Sequence, residues 1–529
     1  MAALTGVREL LPVVARHNRR NIAPWIAGVS ALSASSILAY RLIFPDTAAR
    51  QGLSVALGSN PALSLIFGPA RNLMTNDGFN AWRSGALGGF FAALMAILTV
   101  VANSRADEDS GQAELLASAP IGRQARLGVA VLLAAAASVM LGVVSFLVTI
   151  AVGGAVVPSA LLSATFTASG LMFAGVAAVS AQLGSDARSA NSIAIAVLGV
   201  CFVVRGFIDS STAPSWAVWL TPLGWLEQVR PAADNNPWPL LPALGLAVAL
   251  IVFGFVLDGR RDYGAGLIAP RPGPARGGRT ATVWGLALRL NRGSLITWLI
   301  AFIGLGFIFG QLATSITDVL RANPAMAEVL AANAAAASNL TFAFVVTILQ
   351  LAGLIAAISG IQAVNRIVFE ESNVRLDPLL AGSLRRPTYL ASNLLIAYLA
   401  PALCLLIAAT VIGALGASKH TGVSIADSVA QAAATIPAVW VLIAIAAAAV
   451  GARPAVRLVG WLAVVATFGL TILGPTFKLP EWALSISPLH HVPNMTAAEP
   501  NWTGLLAVAA IFLGFTVIAF IGFRRRDIA

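Results

Sequence analysis

The sequence predicts an all-α polytopic membrane protein of about twelve spans, arranged as two parallel six-helix repeats. Three observations carry this expectation. Of the 529 residues, 58% are hydrophobic and 10% charged, and the mean hydropathy is +0.84, too apolar for a surface that faces water. Apolar runs of about 20 residues recur along the whole chain, the length that crosses a bilayer with every backbone polar group paired internally. Landmarks of the first half return in order in the second, at an offset of roughly 265 residues.

Taken in order, the first element is "MAALTGVRELLPVVARHNRR". Its arginines are spread among apolar residues, and it lacks a compact apolar core followed by a small-residue cleavage site. It reads as a short basic interfacial helix rather than a cleaved signal peptide. Spans are expected at residues 24–44, 86–103, 127–152, 160–183, 190–208 and 239–257. A second set is expected at 294–315, 339–363, 388–415, 428–450, 456–474 and 503–523, preceded by a second basic helix at "WGLALRLNRG". Between the sets, "RDYGAGLIAPRPGPARGGRT" is rich in Gly, Pro and Arg and has no apolar period. Residues 258–283 are therefore expected to be a cytoplasmic linker between halves 1–257 and 284–529.

The net charge of +11 comes from 33 Lys+Arg against 22 Asp+Glu. With the N-terminus inside, the cytoplasmic side receives Arg8, Arg16, Arg19, Arg20, Arg105, Arg123, Arg126, the linker arginines from Arg260 to Arg292, Arg366, Arg385, Arg386, Arg453 and Arg524 to Arg526, while both lysines fall outside. This bias favours cytoplasmic N- and C-termini. The basic excess suits anionic lipid headgroups better than nucleic acid. Cys201 and Cys404 each lie in an apolar run, which supports neither a disulfide framework nor a thiol metal site.

Several chemistries are excluded or disfavoured. A phosphate-binding loop needs a lysine followed by Ser or Thr, but Lys419 precedes His420 and Lys478 precedes Leu479. Any ATP must be hydrolysed by another chain. Proton or sodium coupling asks for an intramembrane carboxylate, yet Asp209, Asp258, Asp318 and Asp427 fall at span ends or in loops. His490 and His491 have no further ligand at metal-binding spacing.

Against this apolar background, "RADEDSGQAELLASAP" concentrates acidic charge after the second span. Ser104 and Asp107 have capping-box spacing, the acids fall in the first helical turn where the helix dipole favours them, and Pro120 stops the helix. A short amphipathic helix near 105–120 is expected on the cytoplasmic surface. The second half echoes it near 366–386 with Glu370, Glu371 and Asp377, where Asp377 is expected to cap a helix that has Pro378 at its first position. Two further echoes are "WAVWLTPL" with "WALSISPL", and "RRD" at Arg260 with "RRD" at Arg525. Paired acidic helices in a chain without its own ATPase suggest docking points for a partner.

These segments, with "WLTPLGWLEQVRP" and the terminal "RRRD", resemble the permease subunit of actinobacterial type-2 ABC exporters of the polyketide-antibiotic or multidrug kind, the tetronasin exporter among them. The resemblance spans nearly the whole chain. It implies the type-2 exporter transmembrane fold, a bacterial plasma-membrane location, two copies of a partner ATPase that bind ATP and Mg, no cofactor in this chain, and a hydrophobic small-molecule cargo. The acidic segments become coupling helices, with Glu108 and Glu114 in the first half and Glu370, Glu371 and Asp377 in the second. The second copy lacks the Gly-Gln-Ala-Glu run, so the two docking sites are expected to be unequal. Export of lipids or envelope precursors, and ion-coupled drug antiport, are the alternative readings.

The loops between the fifth and sixth spans of each half carry Trp216, Trp219, Pro222 and Trp225, and Trp482 and Pro488. Indole rings favour the headgroup level, so these loops are expected to anchor at the interface. The resemblance adds a cap on the exit of the transport cavity. Gln350, a polar side chain deep in a span, and Phe90, Phe91, Phe202, Phe307, Phe342 and Phe344 are the candidate cavity wall.

Overall fold

A computed structural model of the chain describes residues 3–44, 46–47, 50–51, 54, 61–109, 121–210, 213–262, 264–268, 278, 282–322, 340–419, 421–473, 479–497, 500 and 502–527. Among them no strand occurs, and twelve helices are long and apolar enough to cross a membrane. They are α1 Val7–Ile43, α2 Asn76–Ala102, α3 Ala125–Ala151, α4 Val156–Leu183, α5 Ala187–Ser210 and α6 Leu240–Arg260 in the first half. The second half has α7 Val283–Ala322, α8 Leu340–Ser372, α9 Arg386–Ser418, α10 Ile425–Ala452, α11 Val459–Phe468, which is the α-helical part of the candidate span Pro454–Thr471, and α12 Trp502–Arg525. α11 runs on into one π-helical stretch, Gly469–Leu473.

The chain divides into two compact units, Met1–Gly273 and Pro274–Ala529. In the first, α4 lies against α2, α3, α5 and α6, α1 packs on α2 and α3, and α2 also touches α3 and α5. In the second, α10 lies against α8, α9, α11 and α12, α7 packs on α8 and α9, and α8 also touches α9 and α11. Each pairing in the first unit thus has its counterpart six helices later.

Small residues set the close approaches, as expected where apolar lipid gives no hydrophobic drive for helix association. A Cβ on Gly88 of α2 would lie 2.4 Å from the Phe166 ring of α4, and one on Gly451 of α10 would lie 2.3 Å from the Ala519 carbonyl of α12. Buried hydroxyls and amides add cross-helix bonds. Asn80 Nδ2 donates to Ser33 Oγ at 2.9 Å, and Ser33 pairs with Thr149 at 2.9 Å, which ties α1, α2 and α3 together. The outward faces stay apolar: Leu132 and Leu147 on α3, Val252 on α6, and Leu506 and Leu513 on α12 are all exposed.

Two expectations change. The basic N-terminal segment is not a separate interfacial helix but the first turns of α1, which passes Pro12 and Pro24 without a break. "WGLALRLNRG" is likewise continuous with α7. At 1.5 Å per residue these helices reach about 55–60 Å, so each extends well beyond a hydrocarbon core of about 30 Å.

Candidate coupling clasps and a polar pocket

At the end of the first unit where α2 stops, a helical turn Arg105–Asp109 follows at once. Its Glu108 is clasped by Arg261, the residue just beyond α6: Nη1 donates to Oε2 at 2.9 Å and Nη2 to Oε1 at 2.6 Å. Both side chains are 7% exposed. Arg105, fully buried, donates to Glu108 Oε2 at 2.8 Å and also to the Ser185 and Gly264 carbonyls. Arg126 of α3 approaches Glu108 Oε1 at 3.5 Å. Arg261 completes its fork on Gln182 of α4, and its own carbonyl accepts from Arg123. Burial disfavours the Arg261 charge, but the hydrogen bond and charge of Glu108 and the charge of Asp258 outweigh it, so its pKa lies above the ordinary arginine value.

The second unit repeats this arrangement. Glu371, in the last turn of α8, takes the same bidentate fork from Arg526, just beyond α12, at 2.7 and 2.6 Å. The Arg526 carbonyl accepts from Arg386 Nη1 at 3.0 Å, as the Arg261 carbonyl accepts from Arg123. Glu370 beside it accepts from Arg366 Nε and from the Tyr389 hydroxyl, each at 3.0 Å. In each unit, then, an acid at the end of the second span or in the turn after it and an arginine just after the sixth form a largely buried ion pair, and an arginine at the start of the third holds that arginine's carbonyl from outside. Planar fork-to-fork geometry makes this the strong kind of ion pair.

α5 joins the first clasp to a second polar group. At its N-terminus the Ala187 amide donates to Asp109 Oδ2. At its C-terminus Arg205 and Asp209 lie within an ion pair at 3.2 Å, their side chains 2% and 1% exposed. Arg205 Nη2 donates to the Leu65 and Ile66 carbonyls at 3.1 Å each, holding the end of the short helix Pro61–Phe67, and its guanidinium lies 4.8 Å over the Phe202 ring. Glu227, at the end of the short helix Pro222–Glu227, stands 3.9 Å from Arg205 Nη1 and 3.3 Å from Arg71 Nη2. Gly68 has a φ of +84°, and a Cβ there would lie 3.2 Å from Arg205 Nη1, so this turn needs glycine. Arg71, Arg205, Glu227, Phe67, Trp82 and Phe202 all line one cavity of about 80 Å³.

The sequence-derived candidates are distributed as follows. Glu108, Glu370 and Glu371 are held in intrachain ion pairs, and Asp377 is exposed. Glu114 and Pro120 lie outside the described residues. Ser104 does not cap the turn at 105–109, because its hydroxyl donates back to the Val100 carbonyl at 2.6 Å. Glu370 and Glu371 belong to α8, which runs unbroken from Leu340 to Ser372, rather than to a separate surface helix. The helix that follows, Asp377–Leu380, is capped by buried Leu376, so Asp377 is its first residue and not its cap.

On the tryptophan loops, Trp216 and Trp219 lie in the 3-10 turn Ser215–Leu220, exposed like Trp482. Pro222 and Pro488 each open a short helix, and the Trp225 indole donates to the Trp219 carbonyl at 2.7 Å. Phe90 packs edge-on against Phe91 and Phe202, and of these three Phe202 reaches the cavity. Phe342 is buried in the core of the second unit with Phe344 against it, and Phe307 is exposed. Gln350 donates to the Leu489 carbonyl at 3.3 Å, which fixes the turn at Pro488–His491.

Sequence reasoning passed over Arg205, Asp209 and Glu227 as a group, and treated Arg261 and Arg526 only as echoes. An arginine four residues before an aspartate inside an apolar span was the readable sign of the first group.

Comparison with known proteins gives two concordant results. A family model described as "Multidrug efflux system permease Rv1217c, C-terminal domain" matches residues 10–257 and 281–524. The multidrug efflux system permease protein Rv1217c of Mycobacterium tuberculosis (strain ATCC 25618 / H37Rv) is 34% identical over 539 residues, covering 100% of this chain and 96% of the relative.

Proposed function

The chain belongs to this family of multidrug efflux permeases, and from that premise we propose that it is the transmembrane subunit of an ATP-driven ABC exporter, powered by two copies of a separate ATPase. It is a multi-pass membrane permease, a transport subunit rather than an enzyme. The observation that carries the ATP-driven reading is the clasp present in both units, Glu108 with Arg261 and Glu371 with Arg526. A chain with a corresponding ion-paired end in each unit and no phosphate-binding lysine of its own suits two drive points.

In this reading the bacterial plasma membrane holds the chain with both termini and both clasps cytoplasmic. The clasps lock the ends of the second, third and sixth spans of each half into one block. Asp377, exposed and outside the clasps, faces the ATPase, and Glu114, which lies outside the described residues, is assigned the same role from the sequence. Partner closure on ATP binding moves each block as a unit, and α5 carries that displacement to the polar pocket at its far end. The cargo is a hydrophobic drug or polyketide antibiotic, with lipid or envelope precursors as the nearest variant.

One observation favours a second reading. Asp209 is a buried carboxylate at the end of a span, and ion-coupled antiport requires such a group. Two measurements separate the readings: co-purification of this chain with an ATPase that carries a P-loop, and drug uptake into inverted vesicles. Uptake that needs ATP and survives collapse of the proton gradient supports the exporter. Uptake by the permease alone, driven by a proton gradient, overturns it in favour of antiport.

A further inference from the structure

The polar groups that the pocket offers to a ligand are donors. Its lining carries Arg71, Arg205 and Arg230 against one acid, Glu227. That acid is already spent, because Oε1 accepts from Arg71 and Oε2 is buried 3.9 Å from Arg205. Arg205 is 2% exposed and holds two backbone carbonyls, so it supplies fixed positive charge rather than reach. Arg230, partly exposed, is forked onto Gln228 and Asp234. Arg71 differs from both. Its side chain is 31% exposed, and of its fork of N–H donors it spends one, on Glu227 at 3.3 Å, with no other hydrogen bond among the described residues.

The wall around this donor is apolar and held in place. The Trp82 indole donates to the Gly68 carbonyl at 3.0 Å, and Asn72 Nδ2 donates to the Ala232 carbonyl at 2.7 Å, so the segment that carries Arg71 is fixed on both sides. We propose that the pocket binds an amphipathic carboxylate, its head on the unspent N–H groups of Arg71 and its apolar chain against Phe67, Trp82 and Phe202. A planar guanidinium matches a carboxylate two bonds at a time, and Arg205 and Arg230 add positive charge to the same space. An amine head would meet three arginines there and no free acceptor on Glu227. The cavity of about 80 Å³ admits a carboxylate with the start of its chain and not a whole drug, for which about 300 Å³ or more is usual. A glycerophosphate head with two acyl chains is larger still. The site deepens the export reading by naming a substrate class, and it rests on that reading only for its transport role.

The second unit is built differently at the corresponding place. With "WAVWLTPL" and "WALSISPL" in register, Glu227 corresponds to Pro493. The Pro493 carbonyl accepts from Gln431 Nε2 at 3.0 Å, the Met495 amide donates to Gln431 Oε1 at 2.9 Å, and Thr471 pairs with Ser487 at 2.8 Å. These ties are all neutral. One carboxylate per chain is therefore the expected stoichiometry.

The test uses the full chain in nanodiscs of phosphatidylcholine, without any ATPase and with empty nanodiscs as the blank. Isothermal titration at neutral pH compares 4-phenylbutyrate with 4-phenylbutylamine and 4-phenylbutanol, which share its apolar part. The expected result is one site per chain that takes the acid about tenfold more tightly than either other probe. Arg71→Gln is expected to weaken the acid about tenfold and leave the alcohol unchanged. Gly85 of α2 lines the same space, and a Cβ there would meet only Leu162, at 3.8 Å. Gly85→Val is therefore expected to fill the cavity and weaken the acid with the unfolding temperature unchanged. Acid and alcohol bound equally by the unaltered protein overturn the proposal whether or not the variants fold, and so does an Arg71→Gln chain of unaltered unfolding temperature that keeps full affinity for the acid. A few per cent phosphatidylglycerol in the nanodisc, at physiological salt, should leave the affinity as it is. A tenfold loss there would assign the site to a lipid phosphate and overturn the carboxylate. Because no ATPase is present, each of these failures leaves the export reading untouched. Failure to co-purify an ATPase, in turn, leaves the carboxylate site untouched.

Discussion

Arg261 and Glu108 meet fork to fork across 153 residues of sequence, with Nη2 and Oε1 2.6 Å apart and both side chains almost wholly buried. Arg526 and Glu371 do the same in the second unit. The surroundings differ, however. Glu108 also faces Arg105 at 2.8 Å and Arg126 at 3.5 Å, while Arg526 is the one ion-pair partner of Glu371 among the described residues.

That difference predicts unequal responses to exchange of charge. Removing one member of a buried pair costs about 3–5 kcal/mol because the other charge is left unpaired. Arg526→Met should lower thermal stability by about that amount, and Arg261→Met by less, since Arg105 and Arg126 still neutralise Glu108. The double exchange Glu371→Arg with Arg526→Glu should recover most of the loss. Glu108→Arg with Arg261→Glu should not, because the new arginine would meet buried Arg105. Thermal unfolding followed by fluorescence-detected size exclusion measures all four, and equal rescue in both units would contradict the asymmetry.

The docking acids are expected to separate from the clasp acids by the same pair of readouts. Asp377 is exposed and without a cap role, so Asp377→Lys should leave unfolding temperature unchanged and reduce ATPase association several-fold in pull-down. Glu371→Ala should lower both. If Asp377→Lys leaves association and drug-stimulated ATP hydrolysis unchanged, that residue is ordinary surface charge.

How much of this was legible in the sequence depends on the range of the interaction. The spans were readable because an apolar run of about 20 residues is a local signal. The joined helices α1 and α7 were not, because Pro24 and the basic turns look like a boundary when read alone, and a tertiary bundle tolerates both. The clasps were half visible: the acidic segments and the two "RRD" triplets stood out as separate echoes, but nothing local says that Arg261 reaches Glu108. The buried Arg205–Asp209 pair was missed because Asp209 lies at a span end, where a carboxylate normally reaches water. Only the fold of residues 61–71 and 222–227 over it makes it buried.

Two glycines are expected to respond in opposite directions to the same substitution. Gly88→Ala places a Cβ 2.4 Å from the Phe166 ring, and overpacking of that kind costs about 1–3 kcal/mol. Gly199 of α5 has no heavy atom within 4 Å of the position its Cβ would take. Gly199→Ala should therefore stabilise by about 0.4–1 kcal/mol, by restricting the unfolded chain. Unfolding temperatures that move the same way for both would refute the close α2–α4 packing.

α5 is the physical connection between the first clasp and the pocket, with the Ala187 amide bonded to Asp109 at one end and Asp209 paired with Arg205 at the other. Its 24 residues span about 36 Å as a straight helix. If displacement of the clasp reaches the pocket along this rod, a kink in the middle should uncouple the two without removing either. Val200 is exposed on the outer face of α5, so Val200→Pro loses little packing, but it breaks one helical hydrogen bond and costs about 3 kcal/mol. ATPase association should persist, while stimulation of ATP hydrolysis by a transported drug falls toward the basal rate. Retained stimulation in a folded Val200→Pro variant would mean that another helix carries the signal, and α4, which packs against α5, would be the one to examine.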